Sequence, residues 1–407
     1  MKATIVIPSY WRGPAAAGSA CGFESDFIYE SASPLDSEGT LGQALESLDV
    51  LRDKEDVSVA VVAVPTRDEL KQAVELRVQT IVAQFEHKYP IMVIGPEEIM
   101  LWRRRLASKG LYQYDHFLSL DGCANVRNVC LLASVLSSAE AAVIFDEGAA
   151  LEDPEYIFKA LEFVGGQHDG GFVGGVTGHF RHTDGSPLLP LSMDGWQGKW
   201  GGIDSMNRAL SLISEGPRLK KAPFTFGGNM VIHQQVFENV PYDPSIPRGE
   251  DMDYLMNARL FGYDFYMDSD LWTRRDEPER CAPPWFDLRQ DIIRFARERA
   301  KLNALADGDA GLSAASAGDF DPFPGRFLRD DLHDIVFETS MEMAGGYYSA
   351  GREADAGECI MNIAISRAET GIRQDALAEY VAYQRQWQEF IGIVPATGIW
   401  DPEFISD

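Results

Sequence analysis

Val57-Ser-Val-Ala-Val-Val-Ala-Val64 is an almost unbroken apolar run stopped by Pro65. A strand with one wet face alternates apolar and polar residues. A run that stays apolar marks a strand covered on both faces, as in parallel sheets. The neighbouring segments repeat the unit. Thr4-Ile-Val-Ile7 is a short β-rich run ended by Pro8, too early for a signal peptide. Leu41, Leu45 and Leu48 fall at i, i+4 and i+7 behind Thr40, a good N-cap, and predict a helix. Residues 68–85 read as a second helix. Ile91-Met-Val-Ile94 reads as a third strand before Gly95-Pro96, and residues 128–138 as an apolar helix. Ala141-Ala-Val-Ile-Phe145 reads as a fourth strand that runs straight into Asp146-Glu147. This alternation predicts an α/β fold: a Rossmann-like, doubly wound and mostly parallel sheet with helices on both faces. Ligands of such sheets bind at the carboxyl ends of the strands. The turns after Ile7, Val64 and Phe145 are therefore the first candidates.

Outside this frame the sequence changes character. Residues 11–39 are rich in Gly, Ala and Ser and read as a long loop over the strand ends. Residues 181–222, with Trp196 and Trp200, read as a second substrate-facing loop. Beyond about residue 285, amphipathic helices are predicted over 287–305, 329–343, 355–369 and 374–390, with a Gly/Ala/Asp-rich linker at 306–320. The expected division is a catalytic unit over 1–285 and a helical region over 286–407. The latter either packs back on the former or forms a homo-oligomer interface.

The 407 residues carry 36 Lys and Arg against 63 Asp and Glu, a formal charge of −27. That field repels phosphate backbones and anionic membranes, which argues against general nucleic-acid binding. No apolar run reaches the ~20 residues that span a bilayer. Five dispersed cysteines without a CxxC argue against a disulfide framework or a thiolate zinc site, and a cytoplasmic protein is the expectation.

Four segments carry chemistry. Carboxylates released by a buried strand, Asp146 and Glu147, suit a divalent cation (Mg2+ or Mn2+) bridging a pyrophosphate; an acidic turn meeting solvent explains them equally. In Phe226-Gly-Gly-Asn-Met230, paired glycines (Gly227, Gly228) allow close backbone approach to a ligand. In Arg248-Gly-Glu-Asp251, Glu250 and Asp251 open a helix. A carboxylate there accepts a proton from a hydroxyl, or simply caps the helix. Ala124-Asn-Val-Arg-Asn128 precedes an apolar helix, with Arg127 for a phosphate or carboxylate and Asn128 as N-cap. Basic islands at Arg103–Arg105, Lys220-Lys221 and Arg274-Arg275 stand out in the acidic chain.

The order Ile7-Pro-Ser-Tyr10, Thr40 to Leu48, Asn125-Val-Arg-Asn128, Phe145-Asp-Glu-Gly148 with Asp153-Pro154, Gly227-Gly-Asn-Met230, and Arg248-Gly-Glu-Asp251 with Phe261-Gly-Tyr263 resembles family-2 glycosyltransferases of the GT-A fold, over residues 1–275. The resemblance implies transfer of a sugar from a nucleotide-sugar donor to an acceptor hydroxyl. It implies a donor site at Pro8, Ser9, Tyr10, Arg67, Asp68, Asn125, Arg127, Asp146 and Glu147. Metal would be held by Asp146 and Glu147, and Asp251 would be the base beside Glu250, in an inverting scheme. Trp196, Trp200, Gly227, Gly228, Asn229 and Arg248 fall on the acceptor side.

Two departures from the family pattern stand out. Its Asp-x-Asp is Asp146-Glu147-Gly148 here. The stretch Ser269 to Asp276, where relatives supply a histidine, has none. The cation then is differently ligated, with His179 as a further candidate ligand, or is replaced by Arg274 and Arg275. Two other readings remain: a catalytically silent glycosyltransferase-like scaffold, and a sugar nucleotidyltransferase. The second would carry a basic Gly-rich loop after the first strand, where residues 9–22 hold only Arg12.

Overall fold

The computed structural model describes residues 1–14, 27–29, 32–52, 54–190, 195–275, 282–306, 311–372 and 375–398. Much of the 11–39 segment, and of the 9–22 turn, lies outside them. The central sheet is built from β1 (Ala3–Arg12), β2 (Val57–Pro65), β3 (Ile91–Ile94), β4 (Ala141–Phe145), β5 (Gly171–Arg181), β6 (Asn229–His233) and β7 (Asp264–Arg275). Their order is β3-β2-β1-β4-β6-β5-β7. The first four are parallel, with Ile5 between Val59 and Val143. β6 runs antiparallel to β4 and β5, and β7 returns parallel to β5. The sheet is thus mostly parallel. Helices cover both of its faces, and the predicted strands β1 to β4 are all present.

The strand β5 is hidden in the sequence by its glycines. A Cβ on Gly175 would lie 2.2 Å from the Phe265 ring, and one on Gly178 would lie 2.2 Å from the Leu271 carbonyl oxygen. The glycines let β7 lie against β5, although in isolation they read as loop. Three further expectations are corrected. The helix expected from Asn128 spans Cys123–Leu136, so Asn128 is internal. Its side chain bridges the backbone N–H and C=O of Tyr242, at 2.7 and 2.9 Å. Residues 181–222 include helices Gly195–Trp200 and Gly202–Ser211. The basic island Arg103–Arg105 belongs to a helix, Pro96–Ser108, that the pattern did not reveal.

The helical region forms Pro284–Ala306, Leu332–Ser349, Glu353–Ile372 and Ala376–Thr397. One apolar cluster runs from Val6 and Ile144 on the sheet, through Phe237 and Tyr254, to Phe295, Phe327 and Trp387. Hydrogen bonds tie the last helix down: Trp387 Nε1 donates to the Phe237 carbonyl (3.0 Å) and the Tyr380 hydroxyl to that of Pro241 (2.7 Å). Beneath them Lys301, fully buried, pairs with Asp243 (2.8 Å) and Asp253 (2.7 Å), and Arg297 pairs with Asp243 (2.7 Å). Asp253 lies on helix Glu250–Leu260, so this buried network fixes the helix that presents Glu250 and Asp251. On the outer side of the helical region Phe337, Met341, Ile360 and Met361 are exposed.

Candidate active site

A cleft of about 330 Å³ opens at the carboxyl ends of β1 and β4. It gathers Pro8, Tyr10, Arg127, Asp146, Glu147, Arg248, Glu250 and Asp251 from the candidate set, together with Gly148. Arg275, Arg294, Phe180 and Tyr29 complete its walls. Tyr10 leaves β1 and stacks on Tyr29, with ring centroids 4.8 Å apart.

Arg127 ties the two acidic segments together. Its Nε donates to Glu250 Oε1 (3.1 Å) and its Nη2 to Asp146 Oδ1 (2.9 Å). The other Asp146 oxygen, Oδ2, accepts from Arg275 Nη1 (3.1 Å). Arg275 in turn lies over the Phe180 ring, 4.9 Å from its centroid. Its neighbour Arg274 points away, to Glu152 at 3.1 Å.

The paired glycines act by letting backbone pass between the carboxylates. A Cβ on Gly228 would stand 2.2 Å from Asp146 Cγ, and one on Gly227 would stand 3.2 Å from Asp251 Cβ. The Gly227 N–H donates to Asp251 Oδ2 (2.8 Å), and the Met252 N–H donates to Oδ1 (2.9 Å). Both oxygens of Asp251 are thereby oriented, each with a lone pair left. Burial and the adjacent Glu250 raise its pKa to about 6, against the Gly227 N–H, Arg294 and Arg127. Gly249 starts the helix at φ +68°, and a Cβ there would fall 1.6 Å from Arg294 Nη1. The turn therefore needs glycine for its left-handed backbone and for the passage of this arginine.

Glu147 does not face the cleft as a ligand. Its Oε2 accepts from the Ser9 hydroxyl (2.6 Å) and its Oε1 from the Tyr10 N–H (2.9 Å), and burial pushes its pKa up to about 8. Ser9 also accepts from Trp11 Nε1 (2.8 Å), so Ser9 and Glu147 lock β4 to β1. His179, buried with its pKa lowered to about 4, accepts from Arg181 Nε (3.2 Å) and does not line the cleft.

Other candidates lie elsewhere. Arg67 and Asp68 line a separate groove with Lys71, Glu75 and Arg103. Asn125 donates to the Asp121 carbonyl (2.7 Å), beside another hollow with Ile28 and Pro247. Asn229 turns into the core, donating to the His179 carbonyl (2.9 Å) and accepting from the Tyr156 hydroxyl (2.7 Å). Trp200 stacks on Phe327 at 4.6 Å, and Trp196 packs on the core. Neither tryptophan lines the cleft. Arg294, from the helical region, is a wall residue with no signal in the sequence, because one arginine in an amphipathic helix looks like any other.

The donor set does not suit a protein-held divalent cation. Mg2+ and Mn2+ require several free oxygen ligands. Here Asp146 has each oxygen on a guanidinium, Glu147 is spent on β1, and the third position is Gly148. Among the described residues no group of three His, Cys, Asp or Glu side chains is placed to hold a metal.

No protein-family model and no curated protein matches the chain. Solved structures do superpose on it. One is a mannosyltransferase from Pyrobaculum calidifontis in complex with GDP-Man and Mn2+ (13% identity, 94% of this chain and 86% of that one, TM-score 0.46). Another is the glucosyl-3-phosphoglycerate synthase from Mycobacterium tuberculosis in complex with Mn2+ and uridine-diphosphate-glucose (12%, 72% and 77%, TM-score 0.37). A third is the mannosyl-3-phosphoglycerate synthase from Rubrobacter xylanophilus (12%, 76% and 77%, TM-score 0.35).

Proposed function

We propose that the chain is a nucleotide-sugar-dependent glycosyltransferase of the GT-A kind, with Asp251 as the base. The observation that carries this reading is the meeting of Asp146 and Asp251 in one cleft at the strand ends, joined through Arg127 and Glu250. The two motifs stand about a hundred residues apart in the sequence, and the resemblance assigns one to the donor and the other to the base. The stacked Tyr10 and Tyr29 rings at the mouth of β1 support a flat ligand such as a nucleobase.

In the reaction, an acceptor hydroxyl gives its proton to Asp251. The oxygen pair forms a bond to the anomeric carbon while the bond from that carbon to the diphosphate breaks. The electron pair of the broken bond leaves with the diphosphate. With a pKa of about 6, Asp251 is ionised and ready to accept at neutral pH. The sugar is inverted when the two oxygens lie on opposite faces of that carbon.

The test is calorimetric titration with UDP, GDP, ADP, CDP and dTDP, followed by turnover of the matching nucleotide sugar. Micromolar binding of one nucleotide is expected. Asp251→Asn should keep that binding and lose turnover. A variant that turns over as fast as the parent would remove Asp251 as base, and the absence of binding by every nucleotide would remove the reading.

A further inference from the structure

We propose that the diphosphate of the donor is held by Arg127 and Arg275, acting in place of a protein-bound divalent cation. The inference rests on the nucleotide-sugar reading above and specifies how that site meets its anion.

Three observations carry it. First, both oxygens of Asp146, the acidic residue at the end of β4, are taken by guanidinium groups on opposite sides, Arg127 and Arg275. A cation arriving there would have to displace two fixed positive charges. Second, Arg127 is only 6% exposed and lines the cleft, and its Nη1 has no hydrogen-bond partner. A buried N–H donor left unmade is costly, and an acceptor oxygen from a bound ligand relieves it. Third, Arg275 is fixed at one edge by Asp146 and across its face by Phe180. This holds the planar fork in place, and a guanidinium fork matches the oxygens of a phosphate.

The carboxylate of Asp146 in this arrangement is an alignment post for the two arginines. It sets their direction, through a hydrogen bond from Arg127 to one oxygen and from Arg275 to the other. When the bond between the anomeric carbon and the diphosphate breaks, the electron pair stays on the terminal phosphate oxygen. Fixed N–H donors beside that oxygen stabilise the charge as it develops and need no reorganisation. Arg274, so close in sequence, takes no part, because alternation along β7 sends it to Glu152.

The experiment measures affinity for the nucleoside diphosphate that binds best, in EDTA and again in Mn2+, for the parent chain and for Arg275→Ala and Arg275→Lys. The parent should bind in EDTA within about twofold of its affinity in Mn2+. Arg275→Ala should weaken binding in EDTA by about 10–150-fold, as expected for the loss of a hydrogen bond to a charged group. Arg275→Lys should recover part of this, because it keeps the charge and loses the fork. Thermal melting reports whether the variants are folded, and if Arg275→Ala is not, the lysine variant and the EDTA comparison decide. Tightening of tenfold or more by Mn2+ in the parent would overturn the arginine clamp and leave the transferase reading standing. Unchanged affinity in both variants would overturn the clamp in the same way. No binding of any nucleotide, with or without Mn2+, would overturn both.

Discussion

The charge state of Asp251 gives the sharpest test of the proposed chemistry. Its carboxyl is buried, stands beside Glu250, and titrates at about 6 instead of near the ordinary carboxylate value of 3.8. A base must be ionised to accept a proton, so activity should rise with pH through this value. With a midpoint of about 6, roughly one molecule in eleven is ionised at pH 5 and ten in eleven at pH 7. The donor-dependent kcat/KM should therefore climb about tenfold between pH 5 and pH 7 and level off above it. The assay is release of nucleoside diphosphate from the best-binding nucleotide sugar, with hydroxyl compounds or water as acceptor, in buffers of constant ionic strength. Glu250→Gln removes the neighbouring charge that raises the midpoint, so the rising limb should move to lower pH. Asp251→Asn should abolish the limb along with the activity. A parent profile that is flat from pH 5 to 7, or one whose limb stays in place in Glu250→Gln, would refute the assignment of Asp251 as the titrating base.

Other consequences are structural. Gly228→Ala places a methyl group 2.2 Å from Asp146 Cγ, so Asp146 must leave its two arginines. Nucleotide affinity should fall more than tenfold in calorimetry, while the melting temperature shows a cost of about 1–3 kcal/mol from overpacking. Lys301→Met strands Asp253 in the core, since Asp243 still has Arg297 but Asp253 loses its cation. Denaturant unfolding should show a loss of about 3–5 kcal/mol. Glu298 is fully buried, neither of its oxygens has a hydrogen-bond partner, and burial raises its pKa to about 8. Its folded pKa exceeds its unfolded one, so the folded state binds the extra proton and stability falls as pH rises from about 4.5 to 8. Glu298→Gln should gain melting temperature relative to the parent over that interval, most of all at pH 8, and a constant difference across it would contradict the assignment.

Much of the frame was written in local sequence. The runs ending at Pro8, Pro65 and Phe145 read as strands from their own residues, and the almost unbroken Val57–Val64 run read as one covered on both faces, which is the mark of a parallel sheet. The residues Asp146 and Asp251 were recognisable for similar reasons, each standing at the edge of an element that the pattern marks. The strands β5 and β7 were not legible, because the glycines of β5 make sense only against Phe265 and Leu271 on a strand eighty to a hundred residues away.

The direction of each side chain was a matter for the tertiary structure alone. Glu147 is adjacent to Asp146, yet the turn that follows β4 sends it back onto Ser9 and Tyr10, while Asp146 enters the cleft. Trp196 and Trp200 read as acceptor-side residues of a substrate-facing loop until the helical region supplied Phe327 to cover Trp200. Arg294 reaches the cleft only because a buried pair, Lys301 with Asp253, fixes its helix against Glu250–Leu260. Hydrophobic pattern and turn residues act over a few positions, so the sequence by itself determined the strands β1 to β4, the acidic pair after β4 and the acidic helix start that carries Asp251. Which oxygens are free, which cation meets them and which wall closes the cleft depend on contacts between residues from about twenty to well over a hundred positions apart, and those were decided only when the chain packed.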